Sequence, residues 1–357
     1  MFKPRQFTFI IITLLFWSCK TDTKYSYAIK DFRKSLQPHL TEIVSKGIVM
    51  YYDSSLQNMV TDKELIQLGQ SEHPVLRASA FREMLQRKSF NHFDILMNHL
   101  DDTAIVATDA GEWGIWYRAV SDDIIEEAKW KDTADKNKTI DKVITKHNYL
   151  RSAYTALSKI QPQEKYYSYI KNMATRERKS IGDNNKPWIG DVEFALYGLA
   201  KFRKQDDIKI IKNLLISNAW SMSAVSFNLM KEFPDTSYLE VFETYYKRNF
   251  YRNICIDNSV DNAVHFVETI ATYKNNRSAK ILETILNKKP FINCSADTGW
   301  LKDRLIYAIW DNPCDAYLKL RQQIASQVRE YEKNRITLPP VDPVEFPADT
   351  VIEKIRW

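Results

Sequence analysis

The chain has 357 residues, with 51 Lys and Arg against 45 Asp and Glu, and the charges are interspersed along it. So mild a basic excess leaves no electrostatic footprint for nucleic acid. With only eight glycines and neither G-x-G-x-x-G nor G-x-x-x-x-G-K, a phosphate-cradling loop is also excluded.

Lys3 and Arg5 form a short basic start, and Phe7 to Trp17 follows as an eleven-residue run that is apolar apart from Thr8 and Thr13. A bilayer span needs roughly 20 apolar residues, so this run has the layout of a secretory signal. It stops at Ser18-Cys19, ahead of a polar stretch. The segment resembles the signal of bacterial lipoproteins, which implies removal of residues 1–18 and acylation of Cys19. The resemblance further implies a lipid anchor in the cell envelope of a Gram-negative bacterium, on the periplasmic side or at the cell surface. Without residues 1–18 the charge balance is 49 against 45. Helical patterning resumes near Tyr27, so residues 19–26 read as a tether of at most ~25 Å.

Tyr27 to Gln37 and His39 to Lys46 are expected to form a helical hairpin split by Pro38, followed by a short apolar run at Ile48 to Tyr52. Thr61 and Glu64 have capping-box spacing ahead of Leu65, Ile66 and Leu68. Pro74 suits the first turn of a helix. After it Val75, Leu76, Ser79, Ala80, Met84 and Leu85 recur at helical spacing, while Ala78 and Ala80 permit a close helix neighbour. Phe90 to Leu100 is a further helix. The period then changes: TAIVAT (103–108) and WGIWYRAV (113–120) flank DAGE, as the two strands of a β-hairpin would. This insertion, at 103–120, has no evident packing role in a helical stack and reads as a contact device. Ser121 is the expected N-cap of the next helix, with Asp122, Asp123, Glu126 and Glu127 as partners of its dipole. Lys129 to Lys146 reads as a charged loop leading to a helix from about Thr139.

From Tyr149 onward the chain repeats. Leu199-Ala200-Lys201-Phe202 recurs as Ile270-Ala271-Thr272-Tyr273, 71 residues later, or about two units of 35. Helix pairs are expected near 149–175, 191–217, 221–248, 259–288 and 298–333. The spacing, with the helix from Pro74, resembles HEAT-type helical repeats over 27–335. That resemblance implies an all-α solenoid of stacked hairpins whose inner face holds a protein partner, and no catalytic residues. A Pro-rich tail covers 336–357.

No cofactor motif is found, and the histidines (His39, His73, His92, His99, His147 and His265) form no metal-binding pair. His265, three residues before Glu268, is either a base or an ordinary helix histidine. Cys255 and Cys294 occupy equivalent loops and are the pair best placed for a disulfide; the alternative is three free thiols including Cys314. Trp188, Trp220 and Trp300 stand at or just before the starts of predicted helices, where stacking would align them on one edge. Such an edge suits a glycan or a protein hot spot, or else pins its own loops. The sequence therefore predicts a lipid-anchored, non-enzymatic envelope scaffold for another protein or complex. A glycan- or peptidoglycan-binding lipoprotein is the second reading.

Overall fold

The computed structural model describes residues 24–50, 56–57, 59–109, 111, 114–128, 133–176, 189–219, 222–249, 259–287 and 298–334. Among them are sixteen α-helices and one three-stranded sheet, so the fold is mostly helical. The chain divides into two compact units, Met1–Lys129 and Trp130–Trp357. Cys19, Trp188, Trp220, Cys255, Cys294 and the tail 336–357 lie outside the described residues.

The first unit is built around α3 (Pro74–Gln86), in which ten of the thirteen residues are buried. It packs against α1 (Gln37–Lys46), α2 (Asp62–Leu68), α4 (His92–His99), α5 (Val120–Glu127) and the sheet. Ala78 and Ala80 are fully buried, as their size suits. Gly69 closes the corner between α2 and α3, where a Cβ would meet the Phe81 ring at 2.9 Å. The Thr61–Glu64 capping box forms as predicted: each residue accepts the other's backbone N–H.

The opening hairpin is a correction. Tyr27 forms a parallel bridge with Ser71, and its backbone groups pair with Gln70 and Glu72 instead of with a helix. Among the described residues, a short 3-10 turn, Ile29–Asp31, is the one helical element before α1. Pro38 lies in the first turn of α1, where its missing N–H costs nothing, so it starts a helix instead of splitting two. The helix ends at Gly47, whose φ of 65° is the left-handed cap that glycine adopts without strain.

β1 (Ile48–Val49) pairs in parallel with β2 (Ile105–Asp109), and β2 pairs antiparallel with β3 (Ile115–Ala119). The hairpin is present, but it has a packing role: Val49, Val106 and Thr108 are buried, and α3 lies on β1 and β2. The predicted N-cap is displaced by two residues. Helix α5 is capped from Ala119, and Ser121 is buried in its first turn, donating its N–H to Asp102. The extended backbone of β3 runs straight into the helix, with Val120 still donating to Ala104, so no side-chain cap is called on.

In the second unit the charged segment expected as a loop is already helical from Thr133: α6 spans Thr133–Lys146. Its apolar stripe is confined to the C-terminal half, where Ile140, Val143 and Ile144 are buried, which hid its start from the sequence. The expected pairs then follow as α7 (Arg151–Leu157) and α8 (Glu164–Thr175), α9 (Ile189–Ala200) and α10 (Gln205–Ser217), α11 (Ala224–Glu232) and α12 (Leu239–Asn249), α13 (Ser259–Ala271) and α14 (Asn276–Asn287), and α15 (Thr298–Trp310) and α16 (Leu318–Asn334).

The packing is serial. Helix α9 touches α7 and α11, α11 touches α13, and α13 touches α15; in a second row α10 touches α12 and α12 touches α14. Fully buried Tyr154, Phe227, Phe242 and Phe266 fill the seams between the rows. Burial of one such side chain contributes roughly 1.5–3 kcal/mol.

Each helix of the second row also carries a charged bridge to the next. Lys165 pairs with Asp141, Lys204 with Glu164, Lys212 with Glu240, Arg277 with Glu243 and Lys319 with Glu283. These exposed pairs add little stability one by one, at ~0–1 kcal/mol. Asp207 is different: it is 1% exposed and accepts from the Tyr167 hydroxyl and from Lys171 Nζ at 2.9 Å, joining α8 to α10 inside the fold.

The 71-residue repeat has a backbone counterpart. Arg203 and Lys274 are the two non-glycine residues at positive φ among those described. A second repeat escaped notice in the sequence. Pro234 to Leu239 and Pro313 to Leu318 have the same layout, each with a 3-10 turn ending in a buried tyrosine, Tyr238 or Tyr317.

Candidate binding face

Carbonyls at the C-terminal ends of the first-row helices receive donors from later in the chain. Lys201 Nζ donates to the carbonyls of Leu157, the last residue of α7, and of Ser158 and Ile160 just beyond it. The Tyr273 hydroxyl donates to Met230 near the end of α11, at 3.0 Å, and the Tyr317 hydroxyl to Ala271 at the end of α13, at 3.1 Å. A helix end leaves its last carbonyls without intrahelical partners, so these donors fix the spacing between hairpins. Burial pushes the Tyr317 hydroxyl pKa up to about 12, which keeps it a donor. It raises those of Tyr273 and Tyr238 further. Burial also lowers the Lys201 pKa from its ordinary value.

At the start of α11 the device is inverted. Glu193 of α9, 2% exposed, accepts from the backbone N–H of Ser223 at 2.9 Å and from its hydroxyl. The carboxylate thereby covers the positive end of the α11 dipole. Burial raises its pKa, against the opposing pull of these hydrogen bonds.

One stripe of part-exposed side chains runs along the first-row helices: Phe194 and Tyr197 on α9, Asn228 and Glu232 on α11, Asn262, His265 and Glu268 on α13, and Arg304 on α15. The Tyr197 hydroxyl donates to Glu232 at 2.6 Å, and Arg304 stands 3.7 Å from Glu268, so the stripe is linked across helices. Burial, reinforced by the Glu232 carboxylate, raises the Tyr197 pKa and keeps that hydroxyl protonated. The stripe thus combines aromatic, amide and paired ionic side chains.

His265 therefore lies on the stripe, three residues from Glu268 as the sequence indicated. Trp300 stands in the first turn of α15, while the other two tryptophans and the proposed Cys255–Cys294 pair are outside the described residues. Cys314 is a free thiol. Among the described residues no group of three or more His, Cys, Asp or Glu side chains is arranged to hold a metal.

The acidic cluster of α5 is more than a set of dipole partners. Asp123 is buried and grips Arg82 of α3 through two hydrogen bonds of 2.8 and 2.6 Å, and Glu126 pairs with Arg118 of β3. A deeper pair escaped the sequence reading altogether: Arg77 and Asp102, 4% and 1% exposed, form a bidentate bridge at 2.7 and 2.9 Å. Arg77 also donates to the Ser71 carbonyl, and the Tyr25 ring lies over its guanidinium at 4.0 Å. Beside them His99 packs on Phe81 at 4.4 Å, and burial lowers its pKa to about 4. An arginine between Leu76 and Ala78 on a helix otherwise lined with apolar residues was the available signal. His73 stands at the N-cap position of α3 but supplies no side-chain cap bond.

No helix among the described residues is long and apolar enough to cross a membrane. Comparison with protein-family models, with curated proteins and with solved structures gives no match to this chain.

Proposed function

We propose that the chain is an envelope lipoprotein, held at a membrane through acylated Cys19, whose second unit is a HEAT-like solenoid acting as a non-enzymatic scaffold for another envelope protein. The observation that carries the solenoid reading is the serial contact of α7, α9, α11, α13 and α15, with later donors capping the ends of α7, α11 and α13. A unit that meets only its neighbours in the chain is the defining economy of a repeat array. The binding reading is supported by the linked stripe that this row leaves toward solvent. The anchor reading is supported by the basic start, the eleven-residue apolar run and the cysteine that ends it.

The anchor is tested by expressing the full chain and its Cys19→Ser variant in a Gram-negative host with a metabolic acyl label. The expected result is a labelled protein in the membrane fraction and an unlabelled variant released from it. Equal labelling, or equal release, contradicts the anchor. The scaffold is tested by charge reversal at Arg304, which should weaken partner association in a membrane extract without altering the far-UV circular dichroism.

A further inference from the structure

Among the described residues β3 is the last strand of its sheet, and its register with β2 runs unbroken from Ile105–Ala119 to Asp109–Ile115. Val120 donates to the Ala104 carbonyl one step beyond that register, which makes 104 and 120 a hydrogen-bonded pair. In an antiparallel ladder such pairs alternate with non-bonded ones. The backbone groups of Trp116 and Arg118 therefore face β2, and those of Ile115 and Tyr117 face away from it, along the open edge.

That edge is unguarded. Ile115 and Tyr117 are 49% and 72% exposed. Folds commonly protect an edge strand with a bulge, a proline or an outward lysine, and β3, with the sequence IWYRA, has none of these. Its single charge, Arg118, pairs with Glu126 and lies over the Trp116 ring at 5.4 Å. At one end of the strand Gly114, with a φ of 81°, has open space where a Cβ would stand. At the other, Ala119 is 4% exposed and is the N-cap of α5, whose first turn takes its carbonyl. The usable edge is thus Ile115 to Tyr117.

We propose that this edge pairs antiparallel with the same edge of a second copy, Ile115 opposite Tyr117 of the second copy and Trp116 on the twofold axis. A second copy is the occupant because the segment is complementary to itself. In this register each opposed pair exchanges two hydrogen bonds, so the outward groups of Ile115 and Tyr117 are all satisfied. Isoleucine meets tyrosine on the outer face, a cross-strand pairing of aliphatic and aromatic side chains that stabilises sheets. The two tryptophans meet on the inner face. Arg118 falls opposite Gly114, where there is room, and away from its own copy, which it would repel. Such an isologous contact closes after two copies and joins two three-stranded sheets edge to edge.

The test uses the full chain in mild detergent with Cys19, Cys255, Cys294 and Cys314 replaced by serine. One preparation carries Ile115→Cys, and a second, differently tagged, carries Tyr117→Cys. In the proposed register these residues are directly opposed, ~5.5 Å apart at Cα and within disulfide reach. Residue 115 is ~8 Å from its own copy, beyond that reach. Mild oxidation is expected to bridge the mixture several-fold more than either preparation alone, and several-fold more than Ile66→Cys on the exposed side of α2. Bridging no greater than at Ile66, or equal in the mixture and in each preparation alone, overturns the proposal. A second arm is Tyr117→Pro: its N–H makes no bond to β2, so the circular dichroism should be kept while the dimer seen by sedimentation velocity is lost. A Tyr117→Pro chain that still sediments as a dimer overturns the proposal, as does an unmodified chain that stays a monomer at every concentration reached. A photoreactive residue at 117 that labels a different protein in cells, with no adduct between copies, assigns the edge to another partner and overturns it as well.

Discussion

Lys274 has the same backbone state as Arg203, 71 residues before it: φ is 50° in one and 52° in the other, and each lies a few residues beyond the end of a first-row helix. A left-handed conformation costs a side-chain-bearing residue roughly 1–2 kcal/mol, so the chain tolerates strain at the same place in two hairpins. Lys274→Gly is expected to stabilise the protein by about 0.5–1 kcal/mol, after the greater chain entropy of glycine is subtracted. Lys274→Val should destabilise it, because a β-branched residue is a true outlier there. Urea unfolding of the two variants checks the sign of each.

Tyr317 gives a sharper test of the caps. Its hydroxyl stands 2.7 Å from Ser278 Oγ and donates to the Ala271 carbonyl, inside a fully buried seam. Tyr317→Phe should cost about 1–3 kcal/mol, because buried polar atoms lose a partner while the ring still packs. Hydrogen exchange should rise at the C-terminal end of α13 before it rises in α9. An unchanged midpoint would show that the cap contributes nothing.

The Arg77–Asp102 bridge should be costly to break from one side. Arg77→Met leaves a carboxylate that is 1% exposed without its counter-ion, for an expected loss of about 3–5 kcal/mol. The double variant Arg77→Met, Asp102→Asn should recover a large part of that loss, because the remaining group is neutral. A double-mutant cycle by guanidinium unfolding measures the coupling; strict additivity would contradict it.

His99 sets a pH dependence for the first unit. Burial lowers its folded pKa from 6.5 to about 4, so between those values the unfolded chain binds the proton that the native chain refuses. The stability linked to His99 is therefore complete above pH 6.5 and is lost as pH falls toward about 4. His99→Phe should flatten that part of the stability profile. A profile unchanged by the substitution would contradict the assignment.

How far the sequence could be read follows from what each feature leaves in it. The capping box at Thr61 and the helix pairs from Tyr149 onward were legible because periodicity and end signals are local. The pairing of β1 with β2 spans some sixty residues of chain and left no trace in either segment. Tyr27 to Gln37 reads as a helix in the sequence, yet Tyr27 is held instead by a bridge to Ser71, a partner 44 residues away that the local segment does not reveal. The buried charges behave likewise: Arg77, Asp123, Glu193 and Asp207 look like surface residues until the opposite charge or helix end is brought beside them. Of the candidate site, His265 and Glu268 were visible as neighbours on one helix. Their alignment with Tyr197, Asn228 and Arg304 came only from the stacking.

The central claim is that the solvent-facing stripe of the first-row helices holds a protein partner, and site-specific photo-crosslinking in cells tests it most directly. A photoreactive side chain is placed at Asn228 or His265 on the stripe, and at Lys209 of α10 or Lys280 of α14 on the second row, all in the full-length chain. The account predicts one adduct of the same mass from both stripe positions and none from the second row. Adducts of equal yield from both rows, or none from the stripe in a protein that is present in the membrane fraction, would contradict it.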